Sequence, residues 1–310
     1  MPHNLLIVRT AFQGWLARQI LSLTPDMSYD LVQISHNNAH EERHQFNYLS
    51  KGAQRADFIL QAPHRFDFLT HIALWRKLPT YVTRSTYNYI YLASLDAPVI
   101  GAIASRHRGA KLVTWDDGIA NIFPSGAYQS GKVPWRSAAL RRALKAATIG
   151  DLRNRIEKHF TIFDTEKNIV DSDRLYSISI DIKSRHTEGC GTSLVKYFIG
   201  QPFNEVMSPS DINWLEIEAT KRQIDWYVKH PRENKILALG APEINKSGNI
   251  AEEAIMQHAS GRPFELIGSF SSTLFTLSRV AERSTMLLPE GLADRSRLAE
   301  LGRKIGNEIV

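Results

Sequence analysis

Two doubly wound α/β domains facing a central cleft are what this chain predicts, on three observations. Short apolar runs alternate with longer stretches of helical periodicity from one end to the other. At 310 residues the chain is too long for one ordinary core and suits two. Several apolar runs also end abruptly in polar or small residues, as strands do where open α/β sheets hold their ligands.

Leu5 to Val8 reads as the first strand, followed by a helix carrying Trp15, Leu16, Gln19, Ile20 and Leu23 and stopped near Pro25. Tyr29 to Ile34 is a second strand. In the polar stretch after it, His36, His40 and His44 would share one helix face. Without a clear acidic third ligand they read as a wet face rather than a metal site. Phe58 to Leu60 is a further strand, Trp75 to Tyr91 is helical or mixed, and Ala97 to Ala104 is a helix or strand. Leu112 to Trp115 is a buried strand, and Gly118 lets the chain turn sharply after it. Trp135 to Ala147 reads as a basic amphipathic helix with Trp135, Ala138, Ala139, Leu144 and Ala147 on one face. Such a helix is either solvated or laid on an anionic membrane.

Phe160 to Phe163 is a short strand, and the polar stretch Asp164 to Gly191 reads as the crossing between domains, 1–185 and 186–310. The alternation then restarts with a strand at Val195 to Ile199, a helix at Asp211 to Lys221 and a strand at Asp225 to Val228. A helix at Glu252 to Ala259, a strand at Phe264 to Ile267 and a helix through Leu274, Leu277 and Val280 follow. A strand at Thr285 to Leu288 and a helix from Arg295 to Ile309 close the chain.

Composition narrows the partners. Cys190 is the only cysteine, which excludes an intrachain disulfide and a Cys-based zinc site and points to a reducing compartment. The N-terminus lacks the layout of a signal peptide, and no apolar segment approaches the ~20 residues of a membrane span, so a cytoplasmic location is expected. A net charge of +6 favours an anionic partner, whether a nucleotide, an acidic sugar or a phospholipid surface. Nucleic acid is not expected, because no zinc-finger or RNP motif is present and the Lys and Arg residues are scattered.

Three junctions share one design of strand, polar loop, then helix or turn. The first is Asp116-Asp117-Gly118. Asp-Gly is common turn punctuation, but two adjacent carboxylates resist joint desolvation, so one should titrate high and serve as a base. The second is His230-Pro231, where the imidazole can donate to a phosphate oxygen. The third is Gly268 to Ser272, where Ser269, Ser271 and Ser272 with the first amides of a helix form an anion cradle and Gly268 allows close backbone approach. His230 and the serines should lie on one edge of one sheet.

In that order the DDG, His-Pro and Ser-Ser elements resemble the bacterial sialyltransferases of the GT-B type, most closely glycosyltransferase family 52, the lipooligosaccharide sialyltransferases. Leu5 to Gln13, with its Thr10-x-x-Gln13 turn, and Ala251 to Ile255 are similar to that family as well. The resemblance implies CMP-sialic acid as donor and a terminal sugar, galactose foremost, on a lipooligosaccharide-type glycan as acceptor. It implies Asp117 as general base and Asp116 as its tuner or an acceptor contact, with Thr10 and Gln13 on the acceptor side. His230, with Pro231 beside it, and Ser271 and Ser272 would hold the CMP phosphate, and Glu252 the ribose. Inversion without a metal or other cofactor is expected, since one phosphate can be neutralised by these groups. Peripheral contact with the inner face of the cytoplasmic membrane and a homodimer are compatible with this reading. The rivals are a GT-B glycosyltransferase or epimerase using a uridine nucleotide sugar, a non-catalytic nucleotide- or sugar-binding module, and a metal-dependent phosphatase or nuclease built on Asp116 and Asp117.

Overall fold

The computed structural model describes residues 3–61, 68–163, 167–178, 194–234 and 236–310. Cys190 and most of the expected interdomain crossing lie outside them. The chain divides into two compact units, Met1–Ile180 and Asp181–Val310.

The first unit has seven strands: β1 (Asn4–Val8), β2 (Tyr29–Ser35), β3 (Arg55–Leu60), β4 (Tyr89–Leu92), β5 (Lys111–Trp115), β6 (Ile156–Thr161) and β7 (Leu175–Ser177). They pair in parallel in the order β3-β2-β1-β4-β5-β6-β7. Between them run α1 (Ala11–Ser22), α2 (His40–Leu49), α3 (Phe68–Tyr81), α4 (Pro98–Arg106), α5 (Ala127–Ser130), α6 (Trp135–Ala143) and α7 (Ile149–Asn154). Every residue of β1 and β2 is buried, as parallel strands covered on both faces require. Leu5, Ile7, Val32, Ile90, Ile100 and Leu112 meet in the core of this unit.

The second unit carries β8 (Val195–Ile199), β9 (Trp226–Val228), β10 (Phe264–Gly268), β11 (Arg283–Met286) and β12 (Glu308–Ile309) in the parallel order β12-β11-β10-β8-β9. Its helices are α8 (Phe203–Val206), α9 (Pro209–Thr220), α10 (Ala251–Ala259), α11 (Ser272–Leu277) and α12 (Arg295–Lys304). Phe198, Leu215, Tyr227 and Ile267 form its core. Both sheets are doubly wound and reverse direction once, between β1 and β4 in the first unit and between β8 and β10 in the second. Those switch points are where such sheets take ligands.

Several elements depart from the sequence reading. Ala97 to Ala104 is helical (α4), and Trp75 to Tyr91 divides between α3 and β4. The closing helix ends at Lys304 and gives way to β12, and α11 stops at Leu277. The edge strand β7 has no apolar alternation to announce it. In α6 the expected faces are partly exchanged: Trp135 is 74% exposed while Arg141 is buried, donating to the carbonyls of Leu95 and Ala147. His36 precedes α2 and contacts Arg9, and His40 and His44 are exposed. Among the described residues no three His, Cys, Asp or Glu side chains gather as a metal site, and no helix is long and apolar enough to cross a membrane.

Candidate active site

At the first switch point the carboxyl ends of β1, β4 and β5 bring three loops to one carboxylate. Thr10 caps α1, its Oγ1 accepting from the Gln13 amide at 3.2 Å, and this fixes Gln13 in the first turn. Gln13, 1% exposed, accepts from the Arg9 amide at 2.9 Å through Oε1. Its Nε2 donates to Ser94 Oγ and to Asp117 Oδ1, each at 2.7 Å. Asp117 Oδ2 accepts from the Tyr128 hydroxyl at 2.7 Å and from Ser94 Oγ at 3.2 Å, and the Asp117 amide donates to Asn121 Oδ1 at 2.7 Å. Gly118, at φ +57°, makes the turn that holds Asp117 there.

Asp117 keeps part of its surface open to solvent while its carboxyl group is enclosed. Burial raises its pKa and the Asp96 charge adds to the rise, against the hydrogen bonds from Gln13 and Tyr128 and the charge of Arg9. The Tyr128 hydroxyl also lies 3.0 Å from Asp96 Oδ1. It has a single proton and so serves one carboxylate at a time. Burial, then the Asp117 and Asp96 charges, push Tyr128 well above the usual phenol range.

The acid coupled to Asp117 is thus Asp96, not its sequence neighbour. Asp116 is fully buried and its carboxylate is committed elsewhere: Oδ1 to His159 Nε2 at 3.2 Å, and Oδ2 to Thr161 Oγ1 at 2.9 Å and the Ile162 amide at 2.7 Å. A carboxylate only accepts, so His159 Nε2 carries the proton and Nδ1 accepts from Thr114 Oγ1 at 2.7 Å. Asp116 ties the end of β5 to β6 and, fully buried, shares none of the bonds of Asp117, which corrects the expected direct tuning of the base. Asp116→Ala strands those buried donors at about 1–3 kcal/mol each. We expect unfolding measurements to show a Tm lower by roughly 6–12 °C for a loss of about 3 kcal/mol in a unit of this size.

In the second unit the expected residues do reach one sheet edge, since β9, β8 and β10 are adjacent and parallel. His230 Nδ1 accepts from the Arg232 amide at 3.1 Å, which leaves the ring proton on Nε2 in the neutral form. The His230 amide donates to Glu233 Oε2 at 3.1 Å, and buried Glu233 also accepts from the Tyr227 hydroxyl. A Cβ on Gly200, just past β8, would stand 2.2 Å from Glu233 Oε2 and 2.9 Å from the buried Tyr227 ring, so a side chain there would displace the Glu233 carboxylate. Pro231 is exposed and simply turns the chain after His230.

Gln201 Oε1 accepts from the Phe270 amide at 3.2 Å, which joins the loops after β8 and β10. Ser271 caps α11, accepting from the Thr273 amide at 3.3 Å, and Ser272 opens the helix. That helix has six residues, so its dipole adds little to the two hydroxyls. A Cβ on Gly268 would come within 3.1 Å of the Ile199 carbonyl oxygen and 3.3 Å of Leu274, so its smallness serves strand–helix packing at the end of β10. Ser269 is fully buried, its Oγ without a hydrogen-bond partner among the described residues.

Glu252, 3% exposed on α10, is raised to about 7 by burial, against its hydrogen bond with Thr273. Its Oε1 is unpartnered among the described residues. A carboxyl raised on folding stabilises fully below its unfolded pKa and progressively less as pH rises through the folded one. Glu252→Gln should therefore match the unsubstituted protein in Tm near pH 4.5 and exceed it at pH 8.

Sequence reasoning missed Ser94, Asp96, Tyr128, Glu233 and Gln201. Ser94-Leu95-Asp96 follows a strand as the DDG does, but the mixed reading of Trp75 to Tyr91 hid that strand. Glu233 lies one turn beyond His230 and could have been read as its support.

A family model for glycosyltransferase family 52 matches residues 31–288. The chain is 28% identical to the N-acetyllactosaminide alpha-2,3-sialyltransferase of Neisseria meningitidis serogroup A, over 89% of this chain and 76% of that protein. It is also 28% identical to the protein of the same name from Haemophilus influenzae, over 88% of each. Among solved structures it resembles the glycotransferase of kitacinnamycin, with TM-score 0.53, 11% identity, and coverage of 100% of this chain and 86% of that one. The spinosyn rhamnosyltransferase complexed with thymidine diphosphate gives TM-score 0.50 at 11% identity, covering 100% and 86%. UDP-N-acetylglucosamine 2-epimerase from Rickettsia bellii gives 0.53 at 11%, covering 98% and 88%. At such identities the likeness is one of fold: two Rossmann-like α/β domains of the GT-B type.

Proposed function

Because the chain belongs to glycosyltransferase family 52, we propose that it moves sialic acid from CMP-sialic acid to a hydroxyl of a terminal sugar, galactose foremost, on a lipooligosaccharide-type acceptor. The observation that carries this reading is Asp117: a carboxyl with raised pKa, partly open to solvent, and held on both oxygens at a topological switch point. Two relatives named as alpha-2,3-sialyltransferases over most of their length support the donor assignment.

In this mechanism Asp117 takes the proton of the acceptor hydroxyl. The freed oxygen bonds to the anomeric carbon of sialic acid as that carbon's bond to the phosphate oxygen breaks, and the electron pair leaves with CMP. Attack opposite the leaving group inverts the configuration. His230 Nε2–H donates to the departing phosphate, Ser271 and Ser272 add hydroxyl donors, and Glu252 accepts from the ribose hydroxyls. CMP leaves with a single phosphate, whose charge these groups can share without a divalent ion. Peripheral membrane contact belongs to the same proposal. It is supported by exposed Trp135, with the Arg136 guanidinium 5.3 Å from its ring centroid, on a chain of net charge +6.

The test is incubation with CMP-sialic acid and lactose, with and without EDTA, following CMP release and sialyllactose. Equal product in both arms is expected, with stabilisation by CMP and none by UDP in a thermal-shift assay. Transfer from a uridine nucleotide sugar instead, or loss of product with EDTA, would overturn the corresponding part.

A further inference from the structure

Asp117 shares one neighbour with a second carboxylate, and that neighbour has a single proton to give. The Tyr128 hydroxyl lies 2.7 Å from Asp117 Oδ2 and 3.0 Å from Asp96 Oδ1. Tyr128 is 3% exposed, and its ring belongs to the core of the first unit with Leu95, Ala97 and Val99, so packing fixes where the hydroxyl stands. Asp96 is exposed, just ahead of α4, and the Leu95 carbonyl beside it is held by Arg141 Nη2 at 2.6 Å. The phenol oxygen is therefore set between the two carboxylates, and its hydrogen is what can turn. Burial and the two flanking negative charges hold the Tyr128 pKa well above the phenol range, so the hydroxyl keeps that hydrogen at every working pH.

The two protonation states of Asp117 use the hydrogen differently. With Asp117 ionised, the hydroxyl donates to Oδ2, and the Asp96 carboxylate faces the phenol oxygen with no hydrogen between them. With Asp117 protonated on Oδ2, the carboxyl group donates to the phenol oxygen, the hydroxyl turns to Asp96, and each hydrogen has an acceptor. The other two neighbours keep their roles. Gln13 Nε2 only donates, and Ser94 Oγ accepts from Gln13 and donates to Oδ2 in either state. The arrangement is better matched after Asp117 takes a proton than before.

We infer that Asp96 is a positioning residue for the reaction: it competes with Asp117 for the single Tyr128 hydrogen, and the hydroxyl turns to Asp96 as Asp117 takes the acceptor's proton. The acceptor O–H bond breaks and an Asp117 O–H bond forms, while the Tyr128 O–H bond only rotates. Asp96 acts through Tyr128, and it makes Asp117 the stronger base by drawing away the donor that stabilises its charged form. Other charges bear on the pair. Arg9, after β1, opposes the rise at Asp117, and Arg141 of α6 senses the Asp96 charge. His71 of α3 lines a cavity together with Arg9 and Asp96. Tyr128 is the group that bridges the two carboxylates. The inference rests on the proposed role of Asp117 as base; the hydrogen bonds themselves do not.

The experiment uses the full chain and two readouts. The pH dependence of kcat/KM with CMP-sialic acid and lactose gives the acid limb of the free enzyme. Carbon-13 NMR of the aspartate side-chain carboxyls gives the titration of Asp117 without substrates, identified by its loss in Asp117→Asn. Asp96→Asn removes the competing charge and leaves the hydroxyl to Asp117. The titration and the acid limb should both move down by about one pH unit, and kcat above the limb should fall roughly threefold to tenfold with the weaker base. Tyr128→Phe removes the donor instead, so both should move up by about one unit. Adding Asp96→Asn to Tyr128→Phe should move the titration by less than about half as much as Asp96→Asn does alone, since the shared hydrogen is gone. Asp96→Glu, which keeps the charge, should return the limb most of the way. A merely structural defect would lower kcat without moving the titration in opposite directions. If Tyr128→Phe does not fold, the Asp96→Asn titration decides alone. An unmoved Asp117 titration in Asp96→Asn, or shifts of the same sign in both variants, would overturn the inference. A chain whose Asp117 titration responds as expected yet never consumes CMP-sialic acid would overturn the donor reading alone.

Discussion

Asp117→Ala should lower the transfer rate by roughly 10²–10⁴-fold, the range for loss of a general base, while the Kd for CMP stays within twofold. The two readouts separate because the carboxylate lies in the first unit and, among the described residues, bonds to Gln13, Ser94 and Tyr128 there. The variant is not expected to be a folding defect. Gln13 Nε2 and the Tyr128 hydroxyl keep Ser94 Oγ and Asp96 Oδ1 as partners when the carboxyl is removed, and the burial that raises its pKa already disfavours the charged form. The same shift sets the pH profile: the acid limb of kcat/KM should lie above the ordinary carboxylate range and disappear in Asp117→Ala. Parallel loss of CMP affinity and transfer would show that Asp117 holds the donor instead.

His230→Ala should cost a comparable ~10²–10³-fold in kcat/KM for CMP-sialic acid, with little change in the KM for lactose. Its geometry makes the expectation specific. The Arg232 amide occupies Nδ1, so the proton of the neutral ring lies on Nε2, and the backbone at 230 is fixed by Glu233. His230→Gln, which can present an amide N–H, should recover part of the rate. Normal kinetics in His230→Ala would remove the phosphate from this loop and leave it to the serines.

Much of this architecture is legible in the order of the amino acids. The strands Leu5 to Val8, Tyr29 to Ile34, Leu112 to Trp115, Val195 to Ile199 and Phe264 to Ile267 are short, mainly apolar runs, as strands of a largely covered parallel sheet are. Where such a run breaks into Asp-Asp-Gly, His-Pro or Ser-Phe-Ser-Ser, the carboxyl end of a strand is visible as composition. The family resemblance can be read from the same breaks, because the residues proposed to handle substrate lie where the core pattern stops. Edges and short elements are not legible: β7 and β12 are too short for alternation, and α11 ends a turn early.

Chain order alone therefore determined the strands, their polar ends and the set of chemical groups offered there, since each depends on local periodicity and backbone sterics. Folding alone decided which of two adjacent acids is available. Successive side chains of an extended chain leave on opposite sides, so Asp116 entered the β5–β6 seam with His159 and Thr161 while Asp117 met Gln13, Ser94 and Tyr128. Those three come from positions far apart in the chain, and the burial that raises Asp117 comes with them.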